Sequence, residues 1–546
     1  MTLFLPDLPS RLNDPNETSG PRRYDSRRTF GCEFEWSIAF LWEDEEEPLD
    51  PTNGNSPPAI RVPRNLGHDP ADESRLVAYV YDDIRRTLRG HGIPLKTPRG
   101  MLNIEDFREH RLALYDGWEV KIDSSIKPPN QSEYHWCPVE ITSPAEVASN
   151  ESFSAITYVV NLLTSKYRMN VNPSCGLHVH VGQGADFLEL GALRRAAGLL
   201  WAADPLLGCL HPPSKRFCYY SQSLRERTRL ARGTTVADFE AHMMSDETCG
   251  RYIGREVRHG EESVHWREMN ADEKTVMDFQ LNRLSGHFKP FVGKEGEKID
   301  EDGTTSPDTE ARSEGESLGE SLPEVILADD GISQAIMGYH ARATTEAGDS
   351  NDGDSNATHS LDTAYGRCLD RNTAGMPLPR YTAEDEARLR AVAAYGCDTM
   401  LPLEPKTQTD AGVFFGIGEI FSSPSSCVLC WLLRCSDRWS DRPNYNFAAY
   451  DCFRLTEPKS NPRTIEFREA AGTTSGKWAE TWARICVALV DWAEHAPVDE
   501  YLAVLDLCDE AAEGGSYDIV DLLDQIGVFA EAITVEKWLQ SGGARH

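Results

Sequence analysis

Five short stretches of this chain carry acidic, imidazole or guanidinium side chains at every second residue, with apolar residues between them. Glu33 and Glu35 flank Phe34 in FGCEFEWS; Glu119, Lys121 and Asp123 alternate with Val120 and Ile122; Glu140 and Thr142 alternate with Val139 and Ile141. His178 and His180 flank Val179 in CGLHVHVG, and Thr464, Glu466 and Arg468 alternate with Ile465 and Phe467 in TIEFREAAGT. A period of two is that of a β-strand, whose successive side chains point to opposite faces. Each stretch therefore predicts a strand with one apolar face and one face equipped for chemistry.

For any single strand, a polar face turned to water is explanation enough. As a set the residues are more specialised than a solvated face, which uses Lys, Thr, Ser and Glu interchangeably. If the strands pair in one antiparallel sheet, one face packs on helices and the other gathers carboxylates, imidazoles and a guanidinium. Such a face suits a metal and phosphate site. Mg2+ prefers oxygen ligands and takes one or two carboxylates plus substrate phosphates, which makes Glu33, Glu35, Glu140 and Glu466 candidate ligands. The fork of Arg468 matches phosphate oxygens and the charge that spreads in phosphoryl transfer. A carboxylate does not condense with an amine at neutral pH unless it is activated, and ATP can activate it as an acyl phosphate. Positioning and charge neutralisation then suffice, with no Ser or Cys nucleophile.

The elements that must hold these residues are strands over 29–37, 118–123, 137–143, 175–182 and 463–469. Helices are expected over 74–88, where Leu76, Val77, Val80, Ile84 and Leu88 recur at helical spacing before Gly90, and over 152–167, 186–203 and 477–495. In the last of these Trp478, Trp482, Ile485, Leu489 and Trp492 form an apolar stripe that reads as core packing. An α+β fold is expected.

The chain has 546 residues, 40% of them hydrophobic, including 12 Trp, 19 Phe and 18 Tyr, which is enough to fold. Residues 1–26 read as a flexible arm, 27–293 and 363–546 as two parts of one catalytic domain, and 294–362 as a disordered acidic low-complexity insert. A net charge of −33 argues against nucleic acid as a partner. The N-terminal stretch lacks a basic region followed by a long apolar run, and no apolar run approaches the roughly 20 residues of a membrane span, so no membrane association and a cytoplasmic location are expected. The 14 Cys follow no disulfide rhythm. Cys427, Cys430 and Cys435 form the one tight cluster; no second CxxC or His pair follows, so they read as buried thiols on a helix rather than a zinc site.

These motifs together resemble the amidoligase family (carboxylate-amine ligase-like) of the glutamine synthetase and glutamate-cysteine ligase superfamily, in the form common among fungal proteins. The resemblance rests on FGCEFEWS, the Asp123 strand followed by VEITSP, CGLHVHVG, HPPSKRFCYYSQSL and TIEFREAAGT, in that order. It implies a glutamine-synthetase-like antiparallel sheet that floors a catalytic funnel and is backed by helices, with ATP and Mg2+ as cofactors and a small-molecule or peptide carboxylate and an amine as substrates. Carried over residue by residue, Glu33, Glu35, Glu140 and Glu466 look like metal ligands. Arg468 looks like a phosphate or acyl-phosphate contact, and His178 or His180 like a nucleotide or metal contact. Lys121 counts with the nucleotide-binding residues, and Lys215 or Arg216 resembles a basic phosphate- or substrate-binding element. Asn444 and Tyr445 in DRPNYNFAAY read as turn and core residues, with the pocket wall as the alternative. The acidic insert departs from the family pattern, as do Glu469 and Ala470, where a Gln-His-like continuation is expected after Arg468.

Two other classes compete. A metal-dependent hydrolase would use His178, His180 and carboxylates to hold zinc and activate water, although a guanidinium suits no metal's first shell. A non-catalytic binding protein on the same fold would use the acidic insert to recruit partners.

Overall fold

The computed structural model describes residues 28–49, 56–66, 73–98, 115–130, 132–184, 188–238, 378–395, 412–423, 426–435, 442–450 and 463–542. The N-terminal arm and the acidic insert expected from the sequence lie outside them. Among the described residues nine strands form one sheet: β1 (Thr29–Trp42), β2 (Ile60–Val62), β3 (Glu119–Lys121), β4 (His135–Thr142), β5 (Glu146–Val147), β6 (Met169–Asn170), β7 (Gly176–Gly182), β8 (Tyr445–Asn446) and β9 (Thr464–Ala471). The main path runs β3-β4-β1-β7-β9-β8, with β2, β5 and β6 also on β1. Every pairing is antiparallel except the short one between β1 and β2.

The helices are α1 (Glu73–Gly90), α2 (Asn150–Lys166), α3 (Leu190–Leu207), α4 (Leu224–Arg227), α5 (Ala383–Ala393), α6 (Val413–Ser422), α7 (Ser426–Leu432), α8 (Gly476–His495), α9 (Val498–Glu513), α10 (Ile519–Gln525) and α11 (Phe529–Gln540). Among the described residues, no helix is long and apolar enough to cross a membrane. The fold is α+β, with a mainly antiparallel open sheet and helices against one of its faces.

Alternation decides which face that is. Phe30, Cys32, Phe34, Trp36 and Ile38 of β1, Val139 and Ile141 of β4, Leu177, Val179 and Val181 of β7, and Ile465 and Phe467 of β9 all enter the main core. Each large apolar side chain so buried contributes about 1.5–3 kcal/mol relative to exposure. On the helix side α8 packs on α2 and α3, and α6 and α9 also pack on α3. The expected stripe on α8 is buried at Trp478, Trp482, Ile485 and Leu489, and Trp492 packs against the core from a partly buried position. Ser475 caps α8 by accepting from the Trp478 N–H, and Ser149 caps α2 by accepting from Ser152. Val80, Ile84 and Leu88 of α1 are fully buried, and the left-handed residue after that helix is Gly92, at φ 72°.

One strand is shorter than its alternation predicts. β3 stops at Lys121, because the Asp123 carboxylate accepts the Ser125 N–H at 2.7 Å and turns the chain, leaving Ile122 57% exposed. Cys430 lies buried on α7, and Cys435 is buried just beyond it; the side chain of Cys427 lies outside the described residues.

Candidate active site

Register brings the polar positions of six strands onto one face. Across β1 and β4, Glu35 opposes Glu140 and Glu33 opposes Thr142; across β1 and β7, Glu33 opposes His178. Lys121 of β3 opposes Glu140, His180 opposes Glu466 of β9, and Asn446 of β8 opposes Glu466 on its other side. This face is not a solvated one, since Glu35, Glu140 and His178 are only 4%, 6% and 6% exposed. The expectation of one shared polar face therefore holds for Glu33, Glu35, Lys121, Glu140, His178, His180 and Glu466.

The centre of the face is Glu33. Its carboxylate lies 3.3 Å from His178 Nδ1, 3.5 Å from His180 Nε2 and 3.8 Å from Lys121 Nζ. His178 Nε2 lies 3.8 Å from Glu35, and Lys121 Nζ lies 2.9 Å from Glu140. Glu33, His178 and Glu466 each offer a donor atom, and the three atoms lie within 4.8 Å of one another. Arg468 bonds the Glu466 carboxylate through Nη1 and donates Nε to the Tyr220 carbonyl at 3.2 Å. His180 Nδ1 lies 3.0 Å from Thr464 Oγ1, which leaves its Nε2 as a buried atom facing two carboxylates without a hydrogen bond.

Gly176 explains the glycine ahead of the histidine pair. A Cβ there would stand 2.7 Å from His178 Nε2, and the Gly176 N–H donates to Glu35 at 2.6 Å, so the backbone itself fixes one carboxylate of the site.

The charges are unbalanced. Burial works to raise the carboxyl pKa of Glu33, but His180 and His178 outweigh it and hold that group well below its ordinary value. Burial likewise opposes ionisation of Glu466, which Arg468, His180 and His178 nevertheless hold down at about 2. Glu140 goes the other way: burial and the charge of Glu33 push it up to about 8 despite Lys121. Two carboxylates with lowered pKa thus sit among donors arranged to chelate, while burial and crowding disfavour ionisation of a third. A divalent cation bound among Glu33, His178 and Glu466 would relieve that crowding, so the donor set fits a metal.

From this centre opens a cavity of about 900 Å3, lined by Glu33, Lys121, Thr142, His180, Asn446, Thr464 and Glu466 and, farther out, by Arg85, Arg89, Lys96, Tyr115 and Glu119. Asn446 is the residue that the sequence reading passed over. Its Nδ2 donates to Glu466 at 2.9 Å. The signal was present, since Asn446 follows Asn444 at the strand period in NYNF.

Other candidates lie elsewhere. Lys215 is buried and donates to the Cys175 carbonyl at 3.2 Å. Arg216 bonds Glu226 through Nε at 3.0 Å and lines a separate small cavity with Asp204, Asn444 and Glu469. Neither basic residue lines the large cavity. Asn444 accepts the Leu224 N–H at 3.1 Å and donates to Asp204, while its carbonyl accepts the Arg468 N–H at 2.7 Å. Tyr445 is fully buried and donates to Glu469. Both therefore act as turn and core residues. Between Leu177 and Val179 the β7–β9 register shifts, so that Arg468 and Glu469 both fall opposite His178, and Glu469 is buried.

No curated protein and no solved structure matches the chain. A family model does match, and its stretch includes Lys121, Glu140, His178 and His180, while Glu33, Glu35, Glu466 and Arg468 join them from outside it through the strand pairings just described. That model is described as "Putative amidoligase enzyme", and the chain is similar to it over residues 73–256.

Proposed function

We propose that this protein is an ATP- and Mg2+-dependent ligase that joins a carboxylate to an amine through an acyl phosphate, and that its polar sheet face is the floor of a glutamine-synthetase-like funnel. The observation that carries the reading is the convergence of Glu33, His178 and Glu466 within 4.8 Å, with Arg468 bonded to Glu466 at its edge. Glu33 and Glu466, with Glu35 and Glu140 behind them, are the residues that would hold Mg2+. The cation would supply charge neutralisation for transferring phosphate oxygens.

The chain's own groups do the rest. Arg468, bonded to Glu466 and the Tyr220 carbonyl, would offer its remaining N–H groups to phosphate oxygens. Lys121 shields Glu33 from Glu140 and adds a cation at the cavity floor. His178 and His180 fix the Glu33 carboxylate from two sides. The substrates are a small-molecule or peptide carboxylate and an amine.

A metal-dependent hydrolase is favoured by one observation, the single His among the three converging donors, which zinc also accepts. Against it stand the further carboxylates Glu35 and Glu140 and the guanidinium of Arg468, which zinc does not need. Hydroxylamine traps acyl phosphates whatever the natural amine. A panel of carboxylic acids with ATP, Mg2+ and hydroxylamine should therefore give hydroxamate and stoichiometric phosphate release. Hydrolytic turnover with zinc and no nucleotide would overturn the ligase reading.

A further inference from the structure

The large cavity is charged at both ends, with opposite sign. Glu33 and Glu466 line it on β1 and β9, whereas Arg85 and Arg89 of α1 and Lys96 of the segment after α1 line its other wall. In a chain with 88 acidic and 55 basic residues, such a cationic wall is not what composition alone would supply. Its origin is the helical repeat. Val80, Ile84 and Leu88 bury one side of α1, so Asp82, Arg85 and Arg89, three and four residues apart, share the side that lines the cavity.

Two of these cations are held in place. Arg85 donates to the Val120 carbonyl at 2.8 Å and to Asp82 at 2.9 Å. Lys96 pairs with Glu119 at 2.6 Å and lies 5.5 Å over the Tyr115 ring. The wall thus has three cations against two carboxylates. Its surplus charge falls on Arg89, an exposed guanidinium with no ion pair or side-chain hydrogen bond among the described residues.

We propose that Arg85, Arg89 and Lys96 form an anion-binding subsite, which takes a carboxylate or phosphate of the ligand whose other end lies at Glu33 and Glu466. The nature of that ligand rests on the ligase reading; the charge of the wall does not. Glu119, the partner of Lys96, opposes Thr142, which opposes Glu33, so two strand spacings set the Lys96 end of the wall roughly 10 Å from Glu33. That span equals about three extended residues at ~3.3 Å each. A single amino acid is too short to bridge it. An acid that reaches both ends is a short acidic peptide or an equally long molecule, and a nucleotide phosphate is the other source of the same chemistry.

The test is isothermal titration calorimetry on the full chain in EDTA, with triglutamate and inorganic tripolyphosphate as probes. The wild type should bind at least one of them, and Arg89→Ser, a change at an exposed side chain, should weaken that binding about tenfold or more, the size of one lost charge-assisted bond. Loss with triglutamate alone assigns the subsite to the substrate; loss with tripolyphosphate alone assigns it to the nucleotide. Wild-type protein that binds neither probe, or an Arg89→Ser/Lys96→Gln double variant that binds both as the wild type does, overturns the proposal. Mn2+ titration of Glu466→Gln, run alongside, reports on the ligase reading separately: unchanged Mn2+ affinity removes the metal floor and leaves the result at the wall standing.

Discussion

Replacing Glu33 by Gln removes one charge and keeps the shape, at the point where the two histidines and Lys121 converge. The lost carboxylate lies 3.3–3.8 Å from three cationic or protonatable nitrogens and is one of three converging donors. At an effective dielectric constant near 20, two unit charges 4 Å apart interact by about 4 kcal/mol, and a divalent ion doubles the attraction. Desolvation and the remaining acids offset most of this. Even a third of it, roughly 2.7 kcal/mol, corresponds to about 100-fold in Kd. Glu33→Gln should therefore bind Mn2+ at least about 100-fold more weakly, measured by electron paramagnetic resonance or calorimetry. It should still melt cooperatively, at a modestly lower temperature, because the ionised carboxylate that His180 and His178 hold well below its ordinary pKa is lost. A Kd within threefold of wild type, in a variant that melts cooperatively, would refute the metal role of Glu33.

Three further outcomes follow from other parts of the structure. Arg468→Lys replaces a planar fork by one ammonium that cannot hold Glu466 and also reach a phosphate; one lost charge-assisted bond of about 1.5–3 kcal/mol should lower affinity for a non-hydrolysable ATP analogue with Mg2+ about 10- to 100-fold, and an unchanged affinity would take Arg468 out of the site. Burial and the charge of Asp204 push Glu469 up to about 8, so the folded state keeps a proton that the unfolded chain releases above about 4.5, and stability falls as pH rises between those values. Glu469→Gln has no proton to lose and should lessen that fall in calorimetric melting temperature; an unaltered slope would contradict it. A Cβ on Gly416 would stand 2.1 Å from the buried Trp201 ring, so Gly416→Ala should destabilise by about 1–3 kcal/mol in urea unfolding while Mn2+ affinity in the folded protein is kept, and wild-type stability would show that this helix contact yields freely.

The sheet was legible in the sequence because a two-residue period is unambiguous when the alternating residues are as different as Glu and Phe. Glu33, Glu35, Glu140, His178, His180 and Glu466 fall on one face for that reason alone, once their strands are paired. What the period could not give was pairing order, since TIEFREAAGT lies nearly three hundred residues from CGLHVHVG and only long-range packing brings them together. Nor could it give the register shift between Leu177 and Val179, which has no side-chain signature and which accompanies the burial of Glu469 with Tyr445. Arg216 illustrates a second limit: a basic residue in a turn can point either way, and its direction is set by Glu226, ten residues on. Arg89 illustrates a third. Its helix was predictable, but which of its faces would line a cavity depended on strands later in the chain.

In the proposed function Glu33, His178, Glu466 and Arg468 form one metal and phosphate site. Its most direct test is a crystal structure with Mn2+ and a non-hydrolysable ATP analogue, with the metal located by anomalous scattering. A peak is expected roughly 2.1 Å from carboxylate oxygens of Glu33 and Glu466, with a phosphate oxygen within hydrogen-bond reach of Arg468. Metal and nucleotide bound elsewhere, with these four side chains still paired only to one another, would contradict it.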